Sequence, residues 1–212
     1  MHPHEHELIF SPRLRQRIAE HLAGIEPVLL PDEDRRRAAV CVTLIEGQDR
    51  HACFLLQRRA SRLRGHSGQW ALPGGRVDKG ESPLEGALRE LSEEVHLHCG
   101  PADVLGRLDD YPTRSGYVIS PFVVWVAHRA GMKANPREVA ELHEVPLSEL
   151  ERADSPQFTR IKESERPVIR VPVWDRFIHA PTAAYLYQFR EAGLHGRHTP
   201  VIEMEQPVFA WR

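Results

Sequence analysis

Apolar residues occur in short runs along this chain, and their pattern predicts a mixed β-sheet packed against helices. The runs AAVCVTLIE (38–46) and HACFLLQ (51–57), joined by the turn-like GQDR, predict a β-hairpin. The charged segment 31–37 is expected to be a linker, and the basic, glycine-rich segment 58–75 a long functional loop. Further strands are predicted around 104–108, 118–127 and 139–145, and at PVIRVPVW (167–174).

Helix signals flank and interrupt these strands. Ser11 precedes a proline and is expected to cap an amphipathic helix, because apolar residues follow at four-residue spacing: Leu14, Ile18 and Leu22. Ser148 is predicted to cap a short helix. Thr182 is predicted to cap a helix that runs through Ala192 and ends at Gly193.

The length of 212 residues suits one domain with extensions. We expect an N-terminal extension with one helix over 1–34, a main domain over 35–196, and a C-terminal tail over 197–212.

Charge and composition exclude several classes of protein. The 28 Lys and Arg nearly balance 30 Asp and Glu, so no overall field favours nucleic acid or an anionic membrane. The most apolar stretch, 118–127, is too short to span a bilayer, and the N-terminus lacks the apolar run of a secretory signal. We therefore expect a cytoplasmic protein. Cys41, Cys53 and Cys99 form no CxxC pair and are expected to be reduced, buried thiols.

The segment that starts at Ser82 predicts a helix with one acidic face. Ser82, Pro83 and Glu85 occupy the N-cap, first-turn and capping-box positions. At about 100° of rotation per residue, apolar residues gather on one arc and three glutamates on another: Glu90, Glu93 and Glu94. Most acidic helix faces are simply exposed to solvent, where carboxylates this close repel one another. A divalent cation bound between them would reverse the repulsion. Gly86 on this arc indicates that something approaches the helix closely.

The segment GRVDKGESPLEGALRELSEEVHL (75–97) resembles the Nudix box, the loop–helix–loop signature of the Nudix hydrolases. Gly75, Glu81, the pair Arg89-Glu90 and the later glutamate pair stand at the spacing of that signature. The resemblance implies an α/β fold, a Nudix-type α/β/α sandwich with a mixed β-sheet between helices. One position departs, because His96 stands where the family usually has a glycine that ends the helix in a left-handed turn.

The same resemblance implies roles for individual residues. Mg²⁺ or Mn²⁺ would be bound by Glu90, Glu93 and Glu94, and Gly74 would lend a carbonyl oxygen. Arg89 and Glu81 would brace the motif by pairing with each other. The general base stays open between Glu90 and two glutamates of a later segment: Glu138 and Glu141.

Upstream of the box, LLQRRASRLRGHSGQWALPGG (55–75) resembles a second signature, which is found in the coenzyme A pyrophosphatase branch of the Nudix family. Two positions depart, because Gln57 replaces the usual threonine and Leu72 the usual phenylalanine. Arginine presents a fork of donors that suits phosphate. The residues expected to bind substrate are Arg59, Arg64, His66, Gly74 and Gly75.

The two resemblances together imply metal-dependent hydrolysis of a pyrophosphate bond. The expected substrate is coenzyme A or an acyl-CoA, and the products are 3',5'-ADP and (acyl-)4'-phosphopantetheine. Alternatives are ADP-ribose, a dinucleoside polyphosphate or a nucleoside triphosphate, or a non-catalytic module that senses a nucleotide. The only expected partner is a small nucleotide, with no nucleic acid and no membrane, and the question of a homodimer stays open.

Overall fold

The computed structural model describes residues 8–31, 35–60 and 68–211. Its helices and strands, in chain order, are α1 (Pro12–Ala23), β1 (Arg36–Glu46), β2 (Ala52–Arg59), β3 (Trp70–Ala71), β4 (Gly74–Arg76), α2 (Pro83–Val95), β5 (Val104–Arg107), β6 (Tyr111–Pro112), β7 (Tyr117–Val126), β8 (Val139–Pro146), β9 (Gln157–Ile161), β10 (Ser164–Val173), β11 (Arg176–His179) and α3 (Thr182–Phe189).

The larger sheet has the strand order β3-β2-β1-β7-β5, and β4, β6 and β8 pair at its sides. The predicted hairpin of β1 and β2 is present, with Leu44 opposite Phe54. Strands β1 and β7 run parallel from Arg36↔Tyr117 to Ile45↔Val126, whereas β2, β4 and β5 pair antiparallel with their neighbours. The sheet is therefore mixed, as the sequence predicted.

Helices cover both faces of this sheet. Alternate residues of β1 point to opposite faces, so Cys41 and Ile45 pack in a cluster with α2, while Val42 and Leu44 pack in a second cluster with α1 and α3. The fold is thus the expected α/β/α sandwich. None of the helices in the described ranges is long and apolar enough to cross a membrane.

The first helix begins as its sequence predicts. The Ser11 hydroxyl accepts a hydrogen bond from the Leu14 amide at 3.3 Å, and the apolar stripe is buried: Leu14, Ile18 and Leu22. Residues of α1 and α3 belong to the same core cluster as the sheet. Hydrophobic burial on the sheet therefore holds the helix that precedes the main domain.

Three local predictions were wrong. Ser148 lies inside a 3₁₀ turn, Leu147–Glu149, rather than capping an α-helix. Thr182 is the first residue of α3 and makes no cap hydrogen bond to the helix backbone; its hydroxyl lies 3.4 Å from the Trp70 carbonyl oxygen. Gly193 does not end that helix, because α3 continues into a π-helical turn, Arg190–Leu194.

Two segments expected to be irregular are partly strand. Arg36 and Arg37, assigned to a linker, begin β1. Within the expected loop 58–75, Arg58 and Arg59 extend β2 because they pair with β8, and the strands β3 and β4 follow. The described cysteines are free thiols, of which Cys41 and Cys53 are buried and Cys99 is partly buried.

The last part of the chain packs on the domain. A smaller antiparallel sheet, in the order β11-β10-β9, precedes α3. After α3, Val201 is fully buried, and Glu205 forms an ion pair with Arg114. Gln206 accepts a hydrogen bond from the Arg114 amide at 2.8 Å. Within the predicted tail 197–212, residues 205 and 206 are therefore tied to the loop before β7.

Candidate active site

A cavity of about 740 Å³ lies between the larger sheet, α2 and the C-terminal part of the chain. Strand β1 contributes Ala38 and Val40 to its wall, and α2 contributes Glu90 and Glu94. The segment before β8 contributes Glu138. The carboxylate end of the site is therefore assembled from stretches that are far apart in sequence.

Three carboxylates converge in this cavity. Glu90, Glu94 and Glu138 each offer one carboxylate oxygen, and these oxygens lie within 4.8 Å of one another. The Glu94 side chain is 1% exposed and the Glu90 side chain 14%, whereas the Glu93 side chain is 53% exposed. The structure thus groups two of the three predicted ligands with Glu138, and Glu93 lies on the solvent side of the helix.

Glu94 is held by donors on one of its oxygen atoms. Its Oε2 accepts hydrogen bonds from Gln57 Nε2 at 2.7 Å and from the Gly74 amide at 2.8 Å. Its Oε1 lies 3.5 Å from Arg59 Nη1. Burial raises the pKa of Glu94 to about 7, although these hydrogen bonds and Arg59 oppose the rise.

Glu90 depends on a glycine for its position. A Cβ atom at Gly75 would lie 2.4 Å from Cδ of Glu90 and 2.5 Å from its carboxylate oxygens, so any other residue would displace this side chain. Burial raises the pKa of Glu90 as well. Gly74, at φ +150°, allows the loop to pass against β1, since its Cβ would lie 2.3 Å from the Ala39 carbonyl oxygen.

Gly86 serves the motif rather than a ligand. A Cβ atom there would lie 3.1 Å from Glu81 Oε2 and 3.2 Å from Val77 Cγ2, so the loop that precedes α2 is what approaches the helix. The helix start is built as predicted, because the Ser82 hydroxyl accepts from the Glu85 amide and the Glu85 carboxylate accepts from the Ser82 amide.

Arg89 braces the motif. Its Nε donates to Glu81 Oε1 at 2.8 Å and its Nη2 to the Arg76 carbonyl oxygen at 2.9 Å. Its Nη1 donates to Glu90 at 3.0 Å and to Glu93 at 3.1 Å. The pairing of Arg89 with Glu81 implied by the resemblance is present, and it lowers the pKa of Glu81. Their part in catalysis stays a prediction.

Asn135 positions the loop that carries Glu138. Its amide N–H donates to the Glu94 carbonyl oxygen at 2.8 Å, and its side-chain amide donates to the Glu93 carbonyl oxygen at 3.2 Å. The Ala60 amide donates to the Glu138 carbonyl oxygen at 2.8 Å. The end of α2 and the edge of β2 therefore bring Glu138 to the cluster, which residue spacing alone does not reveal.

The predicted substrate-binding residues are only partly accounted for. Arg59, Gly74 and Gly75 line the cavity, whereas Arg64 and His66 lie outside the described residues. The other candidate base, Glu141, pairs instead with Arg58 and His143.

Several residues of the site were not predicted from the sequence. Arg76, the second residue of the box, lines the cavity. Behind the wall, Gln57, the departure from the usual threonine, donates to Glu94. A group of aromatic residues also lines the wall: Trp70, Tyr117, Phe177, Tyr185 and Phe209. No motif marked these positions, although a basic residue directly after the paired glycines was a usable signal for Arg76.

The donor set fits a hard divalent cation. Carboxylate oxygens are the ligands that Mg²⁺ and Mn²⁺ prefer, and Mg²⁺ completes its shell with water and phosphate oxygens. Burial raises the pKa of Glu90 and of Glu94, and a cation bound beside them would favour their charged forms. Glu90 and Glu94 are therefore the residues best suited to hold the cation, and the Glu138 carboxylate lies beside them.

Known proteins resemble this chain over its central part. A family model for the NUDIX domain matches residues 34–170. A curated relative from Pectobacterium atrosepticum, named uncharacterized Nudix hydrolase NudL, is 41% identical over 126 residues, covering 59% of this chain and 65% of that protein. A relative of the same name from Yersinia pestis is 42% identical over 115 residues, covering 54% of this chain and 57% of that protein.

The chain thus spans less than two thirds of the length of these curated relatives. Among solved structures, a NUDIX hydrolase from Nitrosomonas europaea aligns with a TM-score of 0.50 and 17% identity, covering 82% of this chain and 80% of that chain. At this identity the likeness is one of fold.

Proposed function

Since this chain belongs to the Nudix hydrolase family, we propose that it hydrolyses a pyrophosphate bond in a nucleoside diphosphate derivative, with coenzyme A or an acyl-CoA as substrate. The observation that carries the proposal is the convergence of Glu90, Glu94 and Glu138 on the wall of a cavity large enough for a nucleotide.

Both the cation and basic residues of the chain are expected to bind the diphosphate. When bound, Mg²⁺ or Mn²⁺ supplies positive charge for the phosphate oxygens and lowers the pKa of a coordinated water. Arg59 and Arg76 line the same cavity and can donate hydrogen bonds to phosphate oxygens. Arg89 keeps the carboxylate arc in place through Glu81 and Glu90.

Glu138 is the carboxylate best suited to accept the proton of the attacking water. Glu90 and Glu94 each receive hydrogen bonds of 3.0 Å or less from the chain, from Arg89 to Glu90 and from Gln57 to Glu94. The shortest side-chain hydrogen bond described for Glu138 comes from Asn135, at 3.4 Å. A general base must lie within hydrogen-bond reach of water and keep a lone pair free for its proton.

The case for coenzyme A rests on the signature upstream of the box and on the cationic groups. A substrate with a diphosphate and a further ribose phosphate needs several donors, and the candidates are Arg59 and Arg76 on the cavity wall and, by its place in the signature, Arg64.

Incubation with coenzyme A and with ADP-ribose, with and without Mg²⁺, tests the substrate. We expect coenzyme A to give 3',5'-ADP and 4'-phosphopantetheine only when Mg²⁺ is present. If kcat/KM is at least tenfold higher for ADP-ribose than for coenzyme A, ADP-ribose is the better assignment of the substrate. If neither compound is cleaved, and a nucleoside triphosphate tested in the same way is not cleaved either, a sensing module is favoured.

A pair of variants tests the assignment of Glu138. Glu138→Gln is expected to lower kcat by about a hundredfold or more, as loss of a general base does. Glu93→Gln is the matched control, because it makes the same chemical change at a glutamate that is half exposed and bonded to Arg89. An equal loss in both variants, or a larger loss in Glu93→Gln, would contradict the grouping seen in the structure and restore Glu93 as a ligand.

A further inference from the structure

A second group of side chains in the cavity has no role in the chemistry described above. Strand β11 contributes Phe177 and His179, and the turn Val208–Ala210 contributes Phe209. Phe177 is 40% exposed and Phe209 is 59% exposed, which is unusual for phenylalanine. Trp70 of β3 lines the same wall.

These aromatic rings are held in place although they are exposed. The Arg170 guanidinium carbon lies 4.0 Å from the ring centroid of Phe177, and the Arg170 side chain is fixed by a 3.0 Å hydrogen bond to Gln157. The Phe209 ring packs edge-on against His179, with 5.1 Å between centroids. One partner therefore orients each ring, and the remaining ring surface is available to the cavity.

Two buried polar atoms accompany the rings. The Tyr185 hydroxyl and the His179 Nδ1 are both buried and have no hydrogen-bond partner among the described residues. Tyr185 is 1% exposed, and both residues line the cavity. Buried polar groups in native proteins nearly always have a hydrogen-bond partner. Two such atoms without one, both in the wall of a cavity, therefore indicate that a ligand supplies the partner.

We propose that this aromatic compartment, formed by Trp70, Phe177, His179, Tyr185 and Phe209, binds the purine base of the substrate and selects it. The proposal rests on the proposed function, because it places one part of a nucleotide whose diphosphate lies at the carboxylates. Four of the five residues follow the segment 34–170 that the family model matches, so substrate selection comes from the C-terminal part of this chain.

A purine suits this wall better than the flexible pantetheine chain does. Bases stack on aromatic side chains, whereas the pantetheine chain has no aromatic ring to stack. The edge of adenine presents both donor and acceptor atoms. The Tyr185 hydroxyl can donate, and His179 Nδ1 can accept because burial and Arg170 lower the pKa of this imidazole and keep it neutral.

Calorimetric binding of the two product fragments tests the proposal without requiring turnover. In wild type, 3',5'-ADP and 4'-phosphopantetheine are titrated separately. Phe209→Ala is expected to weaken 3',5'-ADP binding about 5- to 100-fold, which corresponds to one lost stacking contact. Binding of 4'-phosphopantetheine is expected to change less than twofold.

Tyr185→Phe and a surface variant complete the test. Tyr185→Phe keeps the buried ring and is expected to weaken 3',5'-ADP at least fivefold, with no loss for ribose 5-phosphate, which has no base. Phe158→Ala is the control, because Phe158 is 49% exposed and packs on Tyr187 rather than on this compartment. Thermal unfolding of each variant establishes that it is folded.

The outcomes separate this inference from the proposed function. Weaker binding of 4'-phosphopantetheine instead of 3',5'-ADP, unchanged binding of both, or an equal loss in Phe158→Ala would overturn the assignment of the compartment to the base. If coenzyme A is not hydrolysed but adenine-dependent binding is lost in Phe209→Ala, the compartment stands and the choice of substrate fails.

Discussion

Replacing Glu94 by glutamine is expected to stabilise the metal-free protein while it removes metal binding. Glu94 is 1% exposed, and burial raises the pKa of its carboxyl from the ordinary value of 4.5 to about 7. A carboxyl with a raised folded-state pKa holds its proton more tightly in the folded protein than in the unfolded chain. Stability is therefore lost as the pH rises from about 4.5 through 7, and the loss is complete above pH 7.

The size of the effect follows from that shift. A difference of about 2.5 pKa units corresponds to about 3 kcal/mol of lost stability at pH 8 and about 1 kcal/mol at pH 5.5. Glutamine is neutral, and its Oε1 can accept the same two hydrogen bonds from Gln57 and Gly74, but its Nε2 then replaces the oxygen that faces Arg59 and loses that contact. Glu94→Gln should therefore exceed wild type by up to about 3 kcal/mol at pH 8, and this advantage should shrink by about 2 kcal/mol at pH 5.5.

Urea unfolding in the presence of a chelator measures this directly at both pH values. Saturating Mg²⁺ should raise the Tm of wild type, because a ligand that binds only the folded state stabilises it, and should leave Glu94→Gln nearly unchanged. Glu93→Gln is the control, since its half-exposed carboxylate should give less than about 0.5 kcal/mol at either pH. A Glu94→Gln protein that is less stable than wild type at pH 8 would refute the reasoning.

Two further substitutions test the supports of the site. Gly75→Ala should lower kcat at least tenfold with little change in Tm, because the new Cβ displaces the flexible Glu90 carboxylate. Gly100→Ala is the control, because a Cβ there meets open space. A kcat for Gly75→Ala equal to that of the control would show that Glu90 tolerates the displacement. Arg89→Lys keeps the charge but loses the two-nitrogen contact with Glu81. The free energy of unfolding in urea should fall by about 1 kcal/mol, and an unchanged urea midpoint would argue against a bracing role for Arg89.

Local features of the fold could be predicted because local chemistry determines them. Ser11 and Ser82 cap helices where the sequence places a serine before a proline, and the hairpin of β1 and β2 follows from two apolar runs and a turn. The prediction that Thr182 caps α3 was wrong because the chain turns at Pro181, so that Thr182 itself is helical and its hydroxyl faces Trp70.

The candidate site, too, could be predicted only where its residues are close together in the sequence. Glu90 and Glu94 share a helix, so their proximity follows from helical geometry. Glu138 reaches them only because Asn135 is bonded to the end of α2 and Ala60 is bonded to Glu138, contacts between segments far apart in sequence. The aromatic compartment depends on packing of the C-terminal segment, which carries no motif that reveals its destination.

His96 shows how a departure from the family pattern can be absorbed by the structure. It ends α2 in the left-handed conformation at φ 58° and ψ 34°, which costs a residue other than glycine about 1 kcal/mol. Its Nδ1 lies 2.9 Å from the Lys133 carbonyl oxygen, and the Lys133 amide donates to Val95 at 3.0 Å. A hydrogen bond of this kind returns about as much as the conformation costs. Glycine would relieve the strain but could not make this contact, so histidine ends the helix and also ties α2 to the segment that carries Glu138.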